Sequence, residues 1–167
     1  DMFKLFQVDF SDLARVAEMV GKILHSSIHF DIIINSAGIL SPPDFTPTID
    51  GFEYTFQVNF LSHLLINELI LHEITGTCTI KIATITSPVY RLAENELTIH
   101  SGEQGYSAVK TYASSKFYLT QMCEFLTARY PGLNLQCFSF DPGIFSSGIY
   151  RMQKKWFRWL YYIASPF

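Results

Sequence analysis

Runs of mainly apolar residues alternate along this chain with segments in which apolar residues recur at helical spacing. The apolar runs that predict strands are residues 2–9, 30–38, 78–87 and 134–140. The segments that predict helices are residues 11–26, with Ser11 as the N-cap, 47–73 and 106–130. Strands that are apolar almost throughout and alternate with helices predict an α/β fold, with a parallel sheet covered by helices on both faces.

Composition limits the classes of protein to which the chain can belong. Its 167 residues are 49% hydrophobic and only 16% charged, which suits one domain with a substantial core. The net charge is -3, and the one basic cluster, residues 150–159, is interleaved with aromatic residues, so no nucleic-acid partner is predicted. Three cysteines, at positions 78, 123 and 137, lack the spacing of metal ligands. We therefore expect reduced thiols and no metal site.

Polar residues and glycines follow each of the four predicted strands. In chain order they are Asp9, the stretch 35–38 (Asn-Ser-Ala-Gly), the pair Thr86 and Ser87, and the stretch 141–143 (Asp-Pro-Gly). The carboxyl ends of parallel strands lie at one edge of the sheet, and ligands of open α/β sheets bind outside that edge. The pattern therefore predicts a binding site there.

The stretch TYASSKF, residues 111–117, places Tyr112 and Lys116 one helical turn apart on the same face. An ammonium close to a phenol favours the phenolate and lowers the pKa of the tyrosine, which then can serve as a general acid or base. The alternative is a solvated Tyr/Lys face. Ser87 could donate to a ligand carbonyl or simply cap its strand, and the amide of Asn59 could bond to backbone or hold a water. If these residues act together on a carbonyl, hydride has to come from a cofactor.

Six motifs in order resemble those of the short-chain dehydrogenase/reductase family, in its retinol-dehydrogenase-like branch, and they cover nearly the whole chain. They are VDFSD with Asp9, NSAG with Asn35, Ala37 and Gly38, VNFLSHLL with Asn59, TITSP with Ser87, YASSK with Tyr112 and Lys116, and DPGIFSS with Pro142, Gly143 and Ser147. In NSAG, Ser36 stands where the family has a second Asn.

The resemblance implies roles for these residues. Asn59, Ser87, Tyr112 and Lys116 would be catalytic. Tyr112 and Lys116 would also bind the cofactor, which would be NADP in preference to NAD. Asp9 would contact its adenine. The other cofactor-binding residues would be Asn35, Ala37 and Gly38 in the strand-end segment, and Pro142, Gly143 and Ser147 on the nicotinamide side. The implied activity interconverts an alcohol and a carbonyl on a lipophilic substrate such as a retinoid, steroid or lipid aldehyde.

Further expectations concern partners and location. Residues 144–167 resemble the substrate lid of the branch, and the alternative is contact with a membrane surface through residues 151–163. We expect a cytoplasmic protein or one peripheral on the cytosolic face of an intracellular membrane. A homodimer through the predicted helices 47–73 and 106–130 is a further hypothesis.

The family's glycine-rich phosphate-binding loop, G-x-x-x-G-x-G, does not occur in the sequence. The resemblance therefore implies a partial Rossmann domain over residues 1–167, a doubly wound parallel sheet truncated at the N-terminus and also at the C-terminus. In the family's strand order two missing strands would separate the first predicted strand from the others, and the next strand would become an exposed apolar edge. The alternative function is a catalytically inactive fragment or isoform that acts only through protein contacts.

Overall fold

A computed structural model describes residues 3–26, 29–74, 79–93 and 105–143, together with Lys155 and Trp159. Within these residues three parallel strands form one sheet in the order β1-β2-β3. The strands are β1, Ile32–Asn35, β2, Thr79–Ile85, and β3, Asn134–Phe140. Ile33 lies opposite Ile82, which in turn lies opposite Cys137, so side chains at these positions share one face. The predicted α/β fold of the Rossmann type is confirmed.

Helices connect the strands in the predicted alternation. They are α1, Leu13–His25, α2, Tyr54–Phe56, α3, Ser62–Glu73, and α4, Ala108–Arg129. A five-residue π-helix, Gln57–Leu61, joins α2 to α3, and a 3₁₀-helix, Pro88–Leu92, follows β2. The π-helix matters for the site because it carries Asn59.

The hydrophobic core lies between one face of the sheet and the helices. Strand residues Ile33, Ile80 and Ile82 pack there with side chains of all three long helices, namely Val20, Ile70, Leu71, Leu119, Met122 and Leu126. All nine are at most 8% exposed. The burial of this surface, at about 25 cal/mol per Å², is the main force that fixes α4 against the strands.

Within the described part of the chain, no helix packs on the opposite face of the sheet. Ile32 and Ile34 of β1 are 56% and 64% exposed, and Phe138 and Phe140 of β3 are 53% and 57% exposed. The second helical layer that the strand pattern predicts is not among the described residues. β1 also forms an edge of the described sheet, as the family resemblance implied, because its one strand neighbour there is β2.

The first predicted strand, residues 2–9, is the main error of the sequence prediction. Residues 3–9 form no strand, and Leu5 is 86% exposed. A strand needs a neighbour, and none of the described strands lies beside this segment. It is held instead at its end, where the carbonyl of Phe10 accepts hydrogen bonds from Gln57 Nε2 (3.3 Å) and Ser62 Oγ (2.7 Å).

The N-cap of the first helix lies one residue later than predicted. Asp12, not Ser11, is the N-cap of α1, and its Oδ1 accepts the backbone N–H of Arg15 at 3.0 Å. Ser11 instead donates through both its N–H and its hydroxyl to Asp9.

The second helix begins at Tyr54 rather than at position 47. Gly51 has a φ of +83°, a left-handed conformation that glycine adopts readily and that ends the preceding loop in a tight turn. Glu53 then caps the helix, because its Oε2 accepts the N–H of Phe56 at 2.7 Å.

Candidate active site

A cleft of about 990 Å³ opens beside the carboxyl end of β1. Its lining includes Asp9, Ala37, Gly38, Ile39, Tyr54 and Val58. Asp9 reaches the cleft without belonging to a strand. The two hydrogen bonds from Ser11, that of the backbone N–H first, lower the pKa of Asp9, so the carboxylate is ionised at neutral pH.

Gly38 brings the backbone of this cleft against the polar centre of the molecule. A Cβ atom at this position would lie 3.2 Å from Asn59 Oδ1 and 3.7 Å from Lys116 Nζ. Only a residue without a side chain leaves this approach undisturbed. The segment after β1, which was predicted to bind cofactor, is therefore contiguous with two of the predicted catalytic residues.

The amide of Asn59 is fully buried and its hydrogen bonds are made within the protein. Oδ1 accepts the N–H of Ile39 (2.8 Å), while Nδ2 donates to the Ile39 carbonyl (2.9 Å) and to Ser115 Oγ (3.1 Å). Of the two roles that the sequence left open for this side chain, the structure shows the bonds to backbone. Asn59 thus joins the segment after β1 to helix α4.

Tyr112 and Lys116 are both buried on α4 and face the same centre. Lys116 Nζ lies 5.8 Å from the centroid of the Tyr112 ring and donates to the carbonyl of Ile85 at the end of β2, at 3.0 Å. Burial lowers the pKa of Lys116 to about 8, so most molecules carry the ammonium at neutral pH. The structure thus brings Tyr112 and Lys116 together. The bond to the Ile85 carbonyl holds the ammonium of Lys116 in place.

Ser115 and His63 belong to this centre although the sequence did not single them out. Ser115 Oγ donates to the carbonyl of Tyr112 (2.7 Å) and accepts from Asn59. His63 donates from Nε2 to the carbonyl of Ala37 at 2.9 Å, and burial lowers its pKa to about 4, so the ring is neutral. His63 follows Asn59 by four residues, and that spacing was the signal that could have found it.

Ser87 lies just after β2, where it caps the 3₁₀-helix by accepting the N–H of Val89 at 3.5 Å. This bond uses a lone pair and not the hydroxyl hydrogen, so Ser87 can still donate to a ligand. The neighbouring Thr86 hydroxyl donates to the carbonyl of Phe140 and serves the sheet. Ser87 is therefore the hydroxyl of this pair that suits a ligand.

Asn35 is turned into the protein rather than towards the cleft. Its Nδ2 donates to Thr84 Oγ1 at 3.3 Å, and its Oδ1 accepts from Asn67 Nδ2 at 3.0 Å. The side chain therefore braces the strand ends beneath Ala37 and Gly38. Any contact of Asn35 with a cofactor remains a prediction.

The segment after β3 reaches the same edge of the sheet. The carbonyl of Phe140 accepts a hydrogen bond from the N–H of Thr86, and the N–H of Gly143 donates one to Asp141 Oδ1 at 2.9 Å. Gly143 has a φ of +73°, which favours glycine. Ser147, the remaining predicted cofactor residue, and most of the predicted lid at 144–167 lie outside the described residues.

Two further properties of the described ranges bear on function. No cluster of three or more His, Cys, Asp or Glu side chains suited to a metal ion occurs among them. None of the helices there combines the length and the apolar character that crossing a membrane requires.

Known proteins resemble the chain in sequence. The sequence pattern of the family described as short chain dehydrogenase matches residues 1–158. Human retinol dehydrogenase 11 is 27% identical over 161 residues, which are 96% of this chain and 50% of that protein. Human polyprenol dehydrogenase is 26% identical, over 96% of this chain and 52% of that protein. The chain thus spans about half the length of the curated relatives that it matches.

Solved structures resemble it in fold. An uncharacterised protein from Mycobacterium Paratuberculosis superposes with a TM-score of 0.72 and 24% identity, over 98% of this chain and 59% of that one. A short chain dehydrogenase from Shigella flexneri, solved in complex with NADP, gives a TM-score of 0.61 at 18% identity, over 89% of this chain and 59% of that one.

Proposed function

The chain belongs to the short-chain dehydrogenase family, and from that premise we propose that the whole protein is an NAD(P)-dependent oxidoreductase that interconverts an alcohol and a carbonyl. The observation that carries the proposal is the cluster around Lys116. Its ammonium lies beside the ring of Tyr112, and a Cβ on Gly38 would be within 4 Å of it. A buried phenol, a buried cation and a closely packed backbone segment meet at one point.

The residues of this chain fit part of a nicotinamide cofactor. Ala37 and Gly38 line the cleft, where their small size lets a flat or extended group approach the backbone. Asp9, ionised and at the rim of the cleft, is suited to accept hydrogen bonds from ribose or adenine. Pro142 and Gly143 would border the nicotinamide end. When bound, the cofactor supplies or takes up hydride.

The side chains of the site would then handle the proton. Ser87 would donate its hydroxyl hydrogen to the carbonyl oxygen of the substrate and hold it in place. Tyr112 would donate a proton to that oxygen during reduction and remove it during oxidation. The Lys116 ammonium would favour the phenolate of Tyr112, and Asn59 would keep α4 at a fixed distance from the segment after β1.

We propose a lipophilic substrate, of the retinoid, steroid or lipid-aldehyde type, and NADP in preference to NAD. Two sequence relatives are named for lipophilic alcohols, retinol and polyprenol. The aromatic segment 151–163 supports a substrate lid or contact with a membrane surface, and Trp159 within it is 64% exposed. We also propose that the protein is cytoplasmic, or peripheral on the cytosolic face of an intracellular membrane. We further propose that it forms a dimer through its long helices.

Tyr112→Phe in the full-length protein tests the proposal. With NADPH or NADH and a retinoid or steroid alcohol–carbonyl pair, kcat should fall about 10²–10⁴-fold, since only the acid–base hydroxyl is lost. The melting temperature should stay close to that of the wild type. Tyr118→Phe is the matched control, because Tyr118 lies on the same helix but packs on Phe56 and Phe60.

Near-normal turnover by Tyr112→Phe would refute the assigned chemistry. A wild-type protein that neither binds a nicotinamide nucleotide nor turns over any such substrate would refute the function itself.

A further inference from the structure

A buried carboxyl group lies away from the catalytic residues and has no part in the chemistry described above. Glu53 is 1% exposed, and besides the N–H of Phe56 its carboxyl group meets the phenol of Tyr106, with Oε1 and the phenol oxygen 3.2 Å apart. The phenol also lies 3.0 Å from the carbonyl of Pro42. Three segments thus meet at the Glu53–Tyr106 pair: the loop after β1, the start of α2 and the residues just before α4.

The number of hydrogens at this point indicates where the proton lies. Tyr106 has one hydroxyl hydrogen but two oxygen neighbours, the carbonyl of Pro42 at 3.0 Å and Oε1 of Glu53 at 3.2 Å. The carbonyl can only accept and is the closer of the two, so we assign the hydrogen to Pro42. A carboxylate at Glu53 would then face a phenol oxygen with no hydrogen left to give. If Glu53 is protonated, its O–H donates to Tyr106, whose O–H donates to Pro42, and both groups are satisfied.

The surroundings of Glu53 also favour the neutral acid. Burial raises its pKa, and the hydrogen bonds from Phe56 and Thr55 oppose that effect only in part. Among the described residues, the ionisable groups that face Glu53 are Tyr106, from just before α4, and Asp44, from the loop after β1. Burial raises the pKa of the Tyr106 phenol, and the negative charge of Asp44 raises it further. Neither neighbour supplies a positive charge to stabilise a carboxylate.

We propose that Glu53, protonated at neutral pH, and Tyr106 are positioning residues that fasten the start of α4 to the loop after Gly38. Tyr106 precedes the N-cap of α4, Ser107, by one residue, and Tyr112 is six residues further on. The Glu53–Tyr106–Pro42 chain and the Asn59–Ser115 bond therefore hold α4 to the cofactor side of the site at two points. The positioning role rests on the proposed function, whereas the protonation state of Glu53 does not.

Glu53→Gln is the decisive variant, because a glutamine amide mimics the protonated acid. Its N–H can donate to Tyr106, and its carbonyl can accept from Phe56. In the full-length protein, melting temperatures of this variant and the wild type are compared from pH 5 to pH 9. Because the folded state raises the pKa of Glu53, the wild type loses stability as pH rises from the unfolded towards the folded pKa.

The variant should therefore match the wild type at pH 5 and melt higher, by about 3 °C or more, at pH 9. A Glu53→Gln protein that melts well below the wild type at every pH would show that Glu53 is ionised, and would overturn the proposal. This comparison needs no catalysis, so it decides the protonation even if the protein proves inactive.

Turnover then tests positioning. Tyr106→Phe breaks the chain and should lower kcat about tenfold or more at saturating substrate, since small displacements of catalytic groups are costly. Glu53→Gln should keep kcat within about twofold of the wild type, as a variant that preserves the hydrogen bonds. Tyr118→Phe is again the control on the same helix. Equal kcat values for Tyr106→Phe and Tyr118→Phe, with only the melting temperature changed, would reduce the pair to a structural role.

Discussion

Asn59→Ala should destabilise the protein strongly even before any substrate is considered. The substitution removes the two partners of the Ile39 backbone, its N–H at 2.8 Å and its carbonyl at 2.9 Å, in a residue that is 1% exposed. A buried polar group left unpaired costs about 1–3 kcal/mol. Ser115 keeps its bond to the Tyr112 carbonyl, so the third lost hydrogen bond adds little.

The two orphaned groups together predict a loss of about 3–4 kcal/mol in the free energy of unfolding, below the upper limit because a water can enter the vacated space. That is a large share of the about 5–15 kcal/mol by which a folded domain is stable. Urea denaturation of the full-length protein, followed by fluorescence, measures it. The control is Asn134→Ala, which removes the same amide from an exposed site where it bonds Thr79.

The control should lose less than about 1 kcal/mol, as for other surface substitutions. An Asn59→Ala protein within about 1 kcal/mol of the wild type would refute the reasoning, because two buried backbone groups would then have been left unpaired at little cost.

Two other substitutions test the packing and the charge of the same centre. Gly38→Ala should lower the free energy of unfolding by about 1–3 kcal/mol, because the new Cβ presses on Asn59. The control is Gly21→Ala, in mid-helix with nothing within 4 Å of the new Cβ, which should raise the free energy of unfolding by about 0.5–1 kcal/mol. Equal effects of the two substitutions in urea denaturation would contradict the close approach at Gly38. Lys116 has a pKa of about 8 when folded against an ordinary 10.5, so between these values the unfolded chain holds a proton that the folded protein has released. The free energy of unfolding should therefore rise with pH over that window, and Lys116→Met, measured in parallel from pH 7 to pH 10, should lack the rise.

Local pattern was sufficient to predict some elements and not others. The strand at 134–140 was predicted to the residue, because a Pro-Gly turn precedes it and Asp-Pro-Gly follows it. The segment 2–9 has an equally apolar sequence, yet its state depends on a neighbouring strand that its own residues cannot specify. Propensity alone therefore could not separate a paired strand from an unpaired segment.

The same distinction holds within the site. Tyr112 and Lys116 could be found because their spacing of four residues is a property of one helix. Glu53 and Tyr106 could not, because they are 53 positions apart and nothing in either local sequence points to the other. His63 falls between these cases, since its spacing from Asn59 was visible but its bond to Ala37 was not.

The π-helix at Gln57–Leu61 makes chain length itself a constraint on this site. A π turn holds one residue more than an α turn, and each residue turns a helix by about 100°. Asn59 on this turn faces the site, while Ile70 and Leu71 of α3 face the core. Deleting any one residue between positions 57 and 61 would leave only one of these two faces correctly aimed.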